Sequence, residues 1–240
     1  MRILVVNDDG FEAEGLACLA KATLPHGEVT VVAPSWQCSA MSHRLILRKA
    51  MGLRRLPFPV QGVKDAYSLE GTPADCVKVA LHVLMDPWPD VVLSGVNFGY
   101  NCGFDIAYSA TVAAAIEARM KGIPAIAISQ EALPCQEVRD AYLPGLLAEL
   151  LHKDAGPGQI WNVNFPGCSL SDCRGIAYGQ QVLQDYVFAD AYHVERQTED
   201  SLLVTECGEM EEGEVPEGTD LYAVRNGFVS VGTVRGTVFS

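Results

Sequence analysis

Four short stretches of this chain hold residue types at spacings that could do chemistry. Asn7-Asp8-Asp9-Gly10 sets two carboxylates side by side directly after an apolar run. Adjacent carboxylates repel, and a bound cation would neutralise them; the ordinary alternative is a helix N-cap with two solvated acids. Ser94 to Gly103 (SGVNFGYNCG) alternates glycines with Asn97 and Asn101. Glycine lets backbone approach a ligand, and asparagine offers a neutral carbonyl ligand or an amide donor. A glycine-rich surface turn would read the same way. The polar loop 35–43 holds Ser39 and Ser42, and Tyr108-Ser109-Ala110-Thr111 opens an alanine-rich segment.

Two carboxylates, a hydroxyl and an amide carbonyl make an all-oxygen donor set. Hard oxygen ligands suit Mg²⁺, Mn²⁺ or Ca²⁺ rather than zinc. The start of the helix at Ser109–Thr111 presents free N–H groups and the positive end of a dipole, which favours an anion such as phosphate. Ser109 and Thr111 would serve equally as caps. A metal site beside an anion site points to metal-assisted hydrolysis of a phosphate ester. The glycine pattern is neither GxGxxG nor a Walker loop, so a nucleotide-cofactor cradle is not indicated. Of the five histidines, only His43 stands near a candidate site, four residues after Ser39, where it could touch substrate or move a proton.

These residues need elements to hold them. Arg2–Val6 is a continuous apolar run that reads as a buried strand. A helix over Gly15–Leu24 and a second strand at Glu28–Ala33 complete a βαβ opening, which implies a parallel sheet. Short strands are expected near Leu45–Leu47 and Ala66–Leu69. Gly71-Thr72-Pro73-Ala74-Asp75 predicts a helix start, with Thr72 as N-cap and Asp75 closing a capping box. Strands at Asp90–Ser94 and Ala125–Ser129 flank a helix over Ser109–Lys121, and residues 138–152 read as a further helix. In an open parallel sheet, ligands bind beyond the strands' C-terminal ends near the topological switch, where the first three stretches fall. Gln159–Phe165 and Arg174–Tyr178 alternate like strands. Leu221–Val234 holds Asn226-Gly227, a dipeptide that predicts a hairpin turn. The chain is expected to be one α/β unit, with a core over about residues 1–181 and a β-rich extension over about 182–240.

Composition narrows the function. The 17 Lys and Arg stand against 30 Asp and Glu, a net charge of −13. That excess argues against binding a nucleic-acid polymer, which needs cations to displace counterions from phosphates. A small phosphorylated substrate remains open, because a metal can supply positive charge locally. The opening apolar run breaks at Asn7, too short for a signal-peptide core, and no segment has the apolar length of a membrane span. The eight dispersed cysteines form no CxxC pair, so the expectation is a cytoplasmic protein with reduced thiols and no membrane partner.

The motifs themselves resemble the SurE family, stationary-phase survival proteins that act as 5′/3′-nucleotidases. The matching pieces are RILVVNDDGFEAEGL, GTPADCVKVAL, DVVLSGVNFGYNCGFDIAYSATVAAAIEARMKGIPAIAIS, WNVNFP and GTDLYAVRNGFVSVGTV, in order along most of the chain. The resemblance implies a Rossmann-like, mostly parallel sheet flanked by helices, with a C-terminal β-hairpin extension used in dimerisation. It implies one divalent metal ion per subunit, held by Asp8, Asp9, Ser39 and Asn97. It implies phosphate contacts from Asn101 and from Ser109, Ala110 and Thr111. The implied substrates are nucleoside monophosphates, with exopolyphosphatase activity in some members, and the implied assembly is a homodimer or homotetramer. The chain departs at Ala110 and Ala40, where the family commonly has glycine; a methyl at Ala110 would crowd a phosphate.

Asp8 or Asp9 would orient a water or take its proton, and a covalent aspartyl-phosphate on Asp8 is the rival role. Haloacid-dehalogenase phosphatases carry Asp-x-Asp after the first strand, whereas Asp8-Asp9-Gly10 does not fit that spacing. The alternative class is a non-catalytic metal- or nucleotide-binding regulator, similar to a receiver domain with an acidic pair after its first strand. A receiver would be about half this length.

Overall fold

The computed structural model describes residues 1–132, 135–198, 200–210 and 213–236. The chain opens with β1 (Arg2–Val6), α1 (Glu14–Thr23) and β2 (Glu28–Pro34), then β3 (Leu53–Arg55), β4 (Asp65–Leu69) and α2 (Pro73–Val79). It continues through β5 (Val91–Phe98), α3 (Ala110–Met120), β6 (Ala125–Gln130), α4 (Glu137–Leu150), β7 (Gln159–Phe165) and β8 (Ile176–Gln180). The last elements are β9 (Tyr192–Gln197), β10 (Leu202–Glu206), α5 (Asp220–Arg225) and β11 (Val229–Arg235). Nine strands form one sheet in the order β3-β4-β2-β1-β5-β6-β7-β11-β8. The six strands from β4 to β7 run parallel, as the βαβ opening predicts, while β3 and β11 run antiparallel to their neighbours β4 and β7.

The sheet separates two apolar layers, and the alternation of β1 shows how. Ile3 and Val5 face the layer that includes α1 and α4, whereas Leu4 and Val6 face the layer that includes α2 and α3. All four are fully buried, and each stabilises the fold by roughly 1.5–3 kcal/mol. From β1 the chain winds outward in one direction through β2 and β4, then returns to β5 and winds in the other through β6 and β7. The switch therefore lies between β1, which leads into Asp8, and β5, which carries Asn97 near its end. Gly15 lets α1 press on β5 there: a Cβ at Gly15 would sit 2.1 Å from the Val96 carbonyl oxygen.

The capping box forms as expected. The Thr72 hydroxyl accepts from the Asp75 N–H at 3.2 Å, and the Asp75 carboxylate accepts from the Thr72 N–H at 3.1 Å. Two expectations are corrected. Leu45–Leu47 is loop, because the Ile46 N–H bonds the Asp75 carboxylate and Leu47 is exposed; the edge strand forms later, at β3. Asn226-Gly227 is not a hairpin turn. Asn226 caps α5, and Gly227, with φ 76°, ends that helix and turns the chain into β11. A left-handed glycine suits both a hairpin and a helix C-terminus, and the packing of Leu221 and Val224 selects the helix. The stretch beyond residue 182 is also divided: β11 joins the main sheet between β7 and β8. The C-terminal hairpin is β9–β10, an antiparallel pair outside that sheet.

Candidate active site

The turn after β1 is closed by Asn7, whose Nδ2 donates to the Gly10 carbonyl at 2.9 Å. Gly10 has φ 105°, a left-handed value that favours glycine. Asp8 is 4% exposed. Its Oδ1 accepts from the Thr111 hydroxyl at 2.5 Å, and its carbonyl oxygen accepts from the Cys38 N–H at 2.7 Å. The second contact brings the loop carrying Ser39 to the end of β1. Asp9 is more open, and its Oδ2 accepts from the Phe98 N–H at 3.1 Å. The Gln37 side chain bonds Asp9 and donates to Ser39 Oγ at 3.0 Å. Asn97, at the end of β5, donates from Nδ2 to the Gly99 carbonyl at 2.9 Å, which leaves its side-chain carbonyl as the ligand-capable atom. Hydrogen bonds thus tie Asp8, Asp9 and Ser39 to one end of the sheet, beside Asn97.

Electrostatics tests whether a cation fits. Burial pushes the Asp8 carboxyl up to about 7; the Thr111 hydrogen bond opposes this and the Asp9 charge adds to it. Burial also raises Asp9, held back by the Phe98 N–H and Gln37. Two acids that resist ionisation side by side are the electrostatic complement of a divalent cation. The remaining donors are a hydroxyl and an amide carbonyl, all hard oxygens. Among the described residues, no group of three or more His, Cys, Asp or Glu is placed to hold a metal. A site here would therefore rest on the two carboxylates with Ser39 and Asn97.

The candidate phosphate residues lie close by, and their hydroxyls are engaged. Ser109 is the N-cap of α3, its Oγ accepting from the Val112 N–H at 3.1 Å. Ala110 and Thr111 are fully buried in the first turn. Both the hydroxyl and the backbone of Thr111 bond Asp8, so the positive end of α3 is turned toward that carboxylate. Asn101 sits in a polar knot. Its N–H donates to Asn164 Oδ1 at 2.8 Å and its Nδ2 to Ser129 Oγ at 2.6 Å. Its carbonyl accepts from Asn162 Nδ2 at 2.9 Å and Asn164 Nδ2 at 3.2 Å.

Asn162, Asn164 and Ser129 join Asn101 only through the fold. A signal was present: two asparagines two residues apart on one face of the buried strand Gln159–Phe165. His43 points elsewhere than expected. Its Nε2 lies 2.8 Å from Glu117 Oε2, and Lys78 Nζ lies 3.3 Å from Oε1 of the same buried glutamate. With Ser42 bonded to the Ala107 and Tyr108 carbonyls, His43 anchors the Ser39 loop against α3. Ala40 has φ 55°, so its methyl is held in the left-handed region.

The fold is a doubly wound α/β sheet, with an acidic pair at its switch point facing a helix N-terminus. The family model described as "Survival protein SurE" matches residues 3–187. A protein named 5′-nucleotidase SurE from Clostridium botulinum (strain Loch Maree / Type A3) is 36% identical over 235 residues, covering 96% of this chain and 91% of that one. One of the same name from Alkaliphilus metalliredigens is 41% identical over 179 residues, covering 73% of this chain and 70% of that one. The crystal structure of the SurE protein from Aquifex aeolicus superposes with a TM-score of 0.83 at 31% identity, covering 98% of this chain and 93% of that one. The chain belongs to the SurE family.

Proposed function

We propose that this protein is a divalent-metal-dependent phosphomonoesterase that hydrolyses nucleoside 5′-monophosphates to nucleoside and phosphate. Nucleoside 3′-monophosphates and the terminal phosphate of inorganic polyphosphate are the further substrates of the same site. The observation that carries the reading is the raised, adjacent pair Asp8 and Asp9 at the switch point of a SurE-family chain. Asp8, Asp9, Ser39 and Asn97 would hold the metal. A divalent cation held there (Mg²⁺ or Mn²⁺, with Ca²⁺ suited to the same oxygens) would supply charge neutralisation for the phosphate and lower the pKa of a water.

The chain's own residues do the rest. Thr111 fixes the Asp8 carboxylate, so Asp8 serves as a rigid ligand rather than a mobile nucleophile. Asp9 is the more accessible acid and orients the attacking water and takes its proton. The water oxygen bonds to phosphorus, the bond from phosphorus to the ribose oxygen breaks, and that oxygen leaves as the alcohol with the proton that Asp9 took, passed directly or through solvent water. Asn101 and the α3 start from Ser109 to Thr111 would receive the phosphate, with the helix N-terminus supplying positive potential. The exposed β9–β10 hairpin would join subunits into a homodimer or homotetramer in the cytoplasm. No described helix is long and apolar enough to cross a membrane.

Phosphate release from AMP, measured on chelator-treated protein with and without Mn²⁺, tests the proposal. Release that needs the cation and fails in Asp9→Asn is expected. Full turnover in metal-free protein, or none with Mn²⁺ or Mg²⁺ restored, would overturn it.

A further inference from the structure

The two parts of the proposed phosphate site, Asn101 and Ser109, are joined by a short 3₁₀ segment, Gly103–Tyr108. Two aromatic side chains on it remain open to solvent: Phe104 is 41% and Tyr108 53% exposed. A third ring comes from the chain beyond β8. Tyr186, 46% exposed, meets Phe104 edge to face, with centroids 5.4 Å apart and planes at 81°. Its hydroxyl also bonds that of Tyr108. The three rings thus form one contiguous surface.

The backbone beneath it is fixed. The Phe104 N–H donates to the Asp185 carbonyl at 2.9 Å, and Asp105 Oδ2 accepts from the N–H groups of Val187 and Phe188 at 3.0 and 3.1 Å. A Cβ on Gly103 would come within 2.6 Å of the Asp185 oxygen, so only glycine allows this approach. Three mutually ordered rings held half in water are poor core and good platform. Asp105 and Asp190 face Tyr108 with negative charge, which disfavours a second phosphate and leaves an uncharged ring as the matching group. Tyr108 directly precedes Ser109, so this surface adjoins the α3 start.

We propose that Phe104, Tyr108 and Tyr186 form the seat of the substrate's nucleobase, which stacks on their exposed faces. The inference rests on the phosphomonoesterase reading and extends it from phosphate to nucleoside. Stacking on a π-face tolerates any base and favours the larger purines. Purine monophosphates are therefore the preferred class.

The test compares AMP with ribose 5-phosphate, which lacks a base, and measures adenosine binding by calorimetry. Tyr186→Leu and Phe104→Leu keep apolar bulk and remove the π-face; Tyr186→Phe keeps it. The AMP to ribose 5-phosphate ratio of kcat/KM should fall about tenfold in each leucine variant, mainly through the KM for AMP, and hold in Tyr186→Phe. Adenosine binding should weaken in parallel. Equal kcat/KM for the two esters in the wild type, or an unchanged ratio in both leucine variants, would overturn the base seat. So would leucine variants that dissociate in sedimentation with the ratio intact, which would mark the surface as a contact between copies. A wild type that cleaves neither ester refutes the hydrolase reading instead, and loss of adenosine binding in the leucine variants still decides the base seat.

Discussion

Replacing Asp8 by asparagine should make the metal-free protein more stable above neutral pH while abolishing its activity. The folded chain holds the Asp8 proton up to about pH 7, against an ordinary value of 3.8. Between those values the folded state keeps a proton that the unfolded state has released, so stability falls as pH rises through the window. A gap of about three pH units, at about 1.4 kcal/mol each, is worth about 4 kcal/mol once pH exceeds 7. That is a large share of a domain's usual stability of about 5–15 kcal/mol. Asparagine keeps the shape and an acceptor for the Thr111 hydroxyl but cannot ionise. Urea unfolding followed by tryptophan fluorescence, in chelator from pH 4 to pH 8.5, reads the effect. The two proteins should coincide near pH 4 and diverge to a few kcal/mol by pH 8, with Asp8→Asn the more stable. Adding Mn²⁺ at pH 8 should stabilise the wild type and leave the variant nearly unmoved. Parallel pH profiles for the two chains would refute the argument that burial and the Asp9 charge strain this carboxylate.

Other perturbations follow from the same contacts. Asp9→Asn should lower metal affinity and turnover while the fold stays intact; wild-type turnover at limiting Mn²⁺ would contradict its role. Thr111→Val removes the hydroxyl that fixes Asp8 and should reduce kcat/KM by about 1–3 kcal/mol of transition-state binding, read from steady-state hydrolysis of AMP. Gly15→Ala drives a methyl into the Val96 carbonyl oxygen and should destabilise the fold by about 1–3 kcal/mol or more in urea unfolding. In the β9–β10 hairpin, Leu202, Leu203 and Val204 are each about half exposed. Leu202→Lys with Val204→Lys should shift the protein to smaller species in sedimentation, whereas an oligomer of unchanged size would exclude the hairpin as the subunit contact.

Much of this architecture is legible along the chain because its signals are local. The apolar runs at Arg2–Val6 and Ala125–Gln130, the Thr72–Asp75 capping box and the Ser109 cap depend on neighbours a few residues away. The acidic pair and the glycine–asparagine stretch are likewise visible as residue types. Tertiary structure decided what lies far apart in sequence. Asp8 meets Thr111 across 103 positions and Asn101 meets Asn164 across 63, contacts that exist only because the sheet places β1, β5, β6 and β7 side by side. His43 has no sequence neighbour to reveal Glu117 as its partner. Asn226-Gly227 carries the same backbone freedom whether it closes a hairpin or ends a helix. The burial of Leu221 and Val224 chose the helix, because apolar side chains placed against a core outweigh the preference of a two-residue turn.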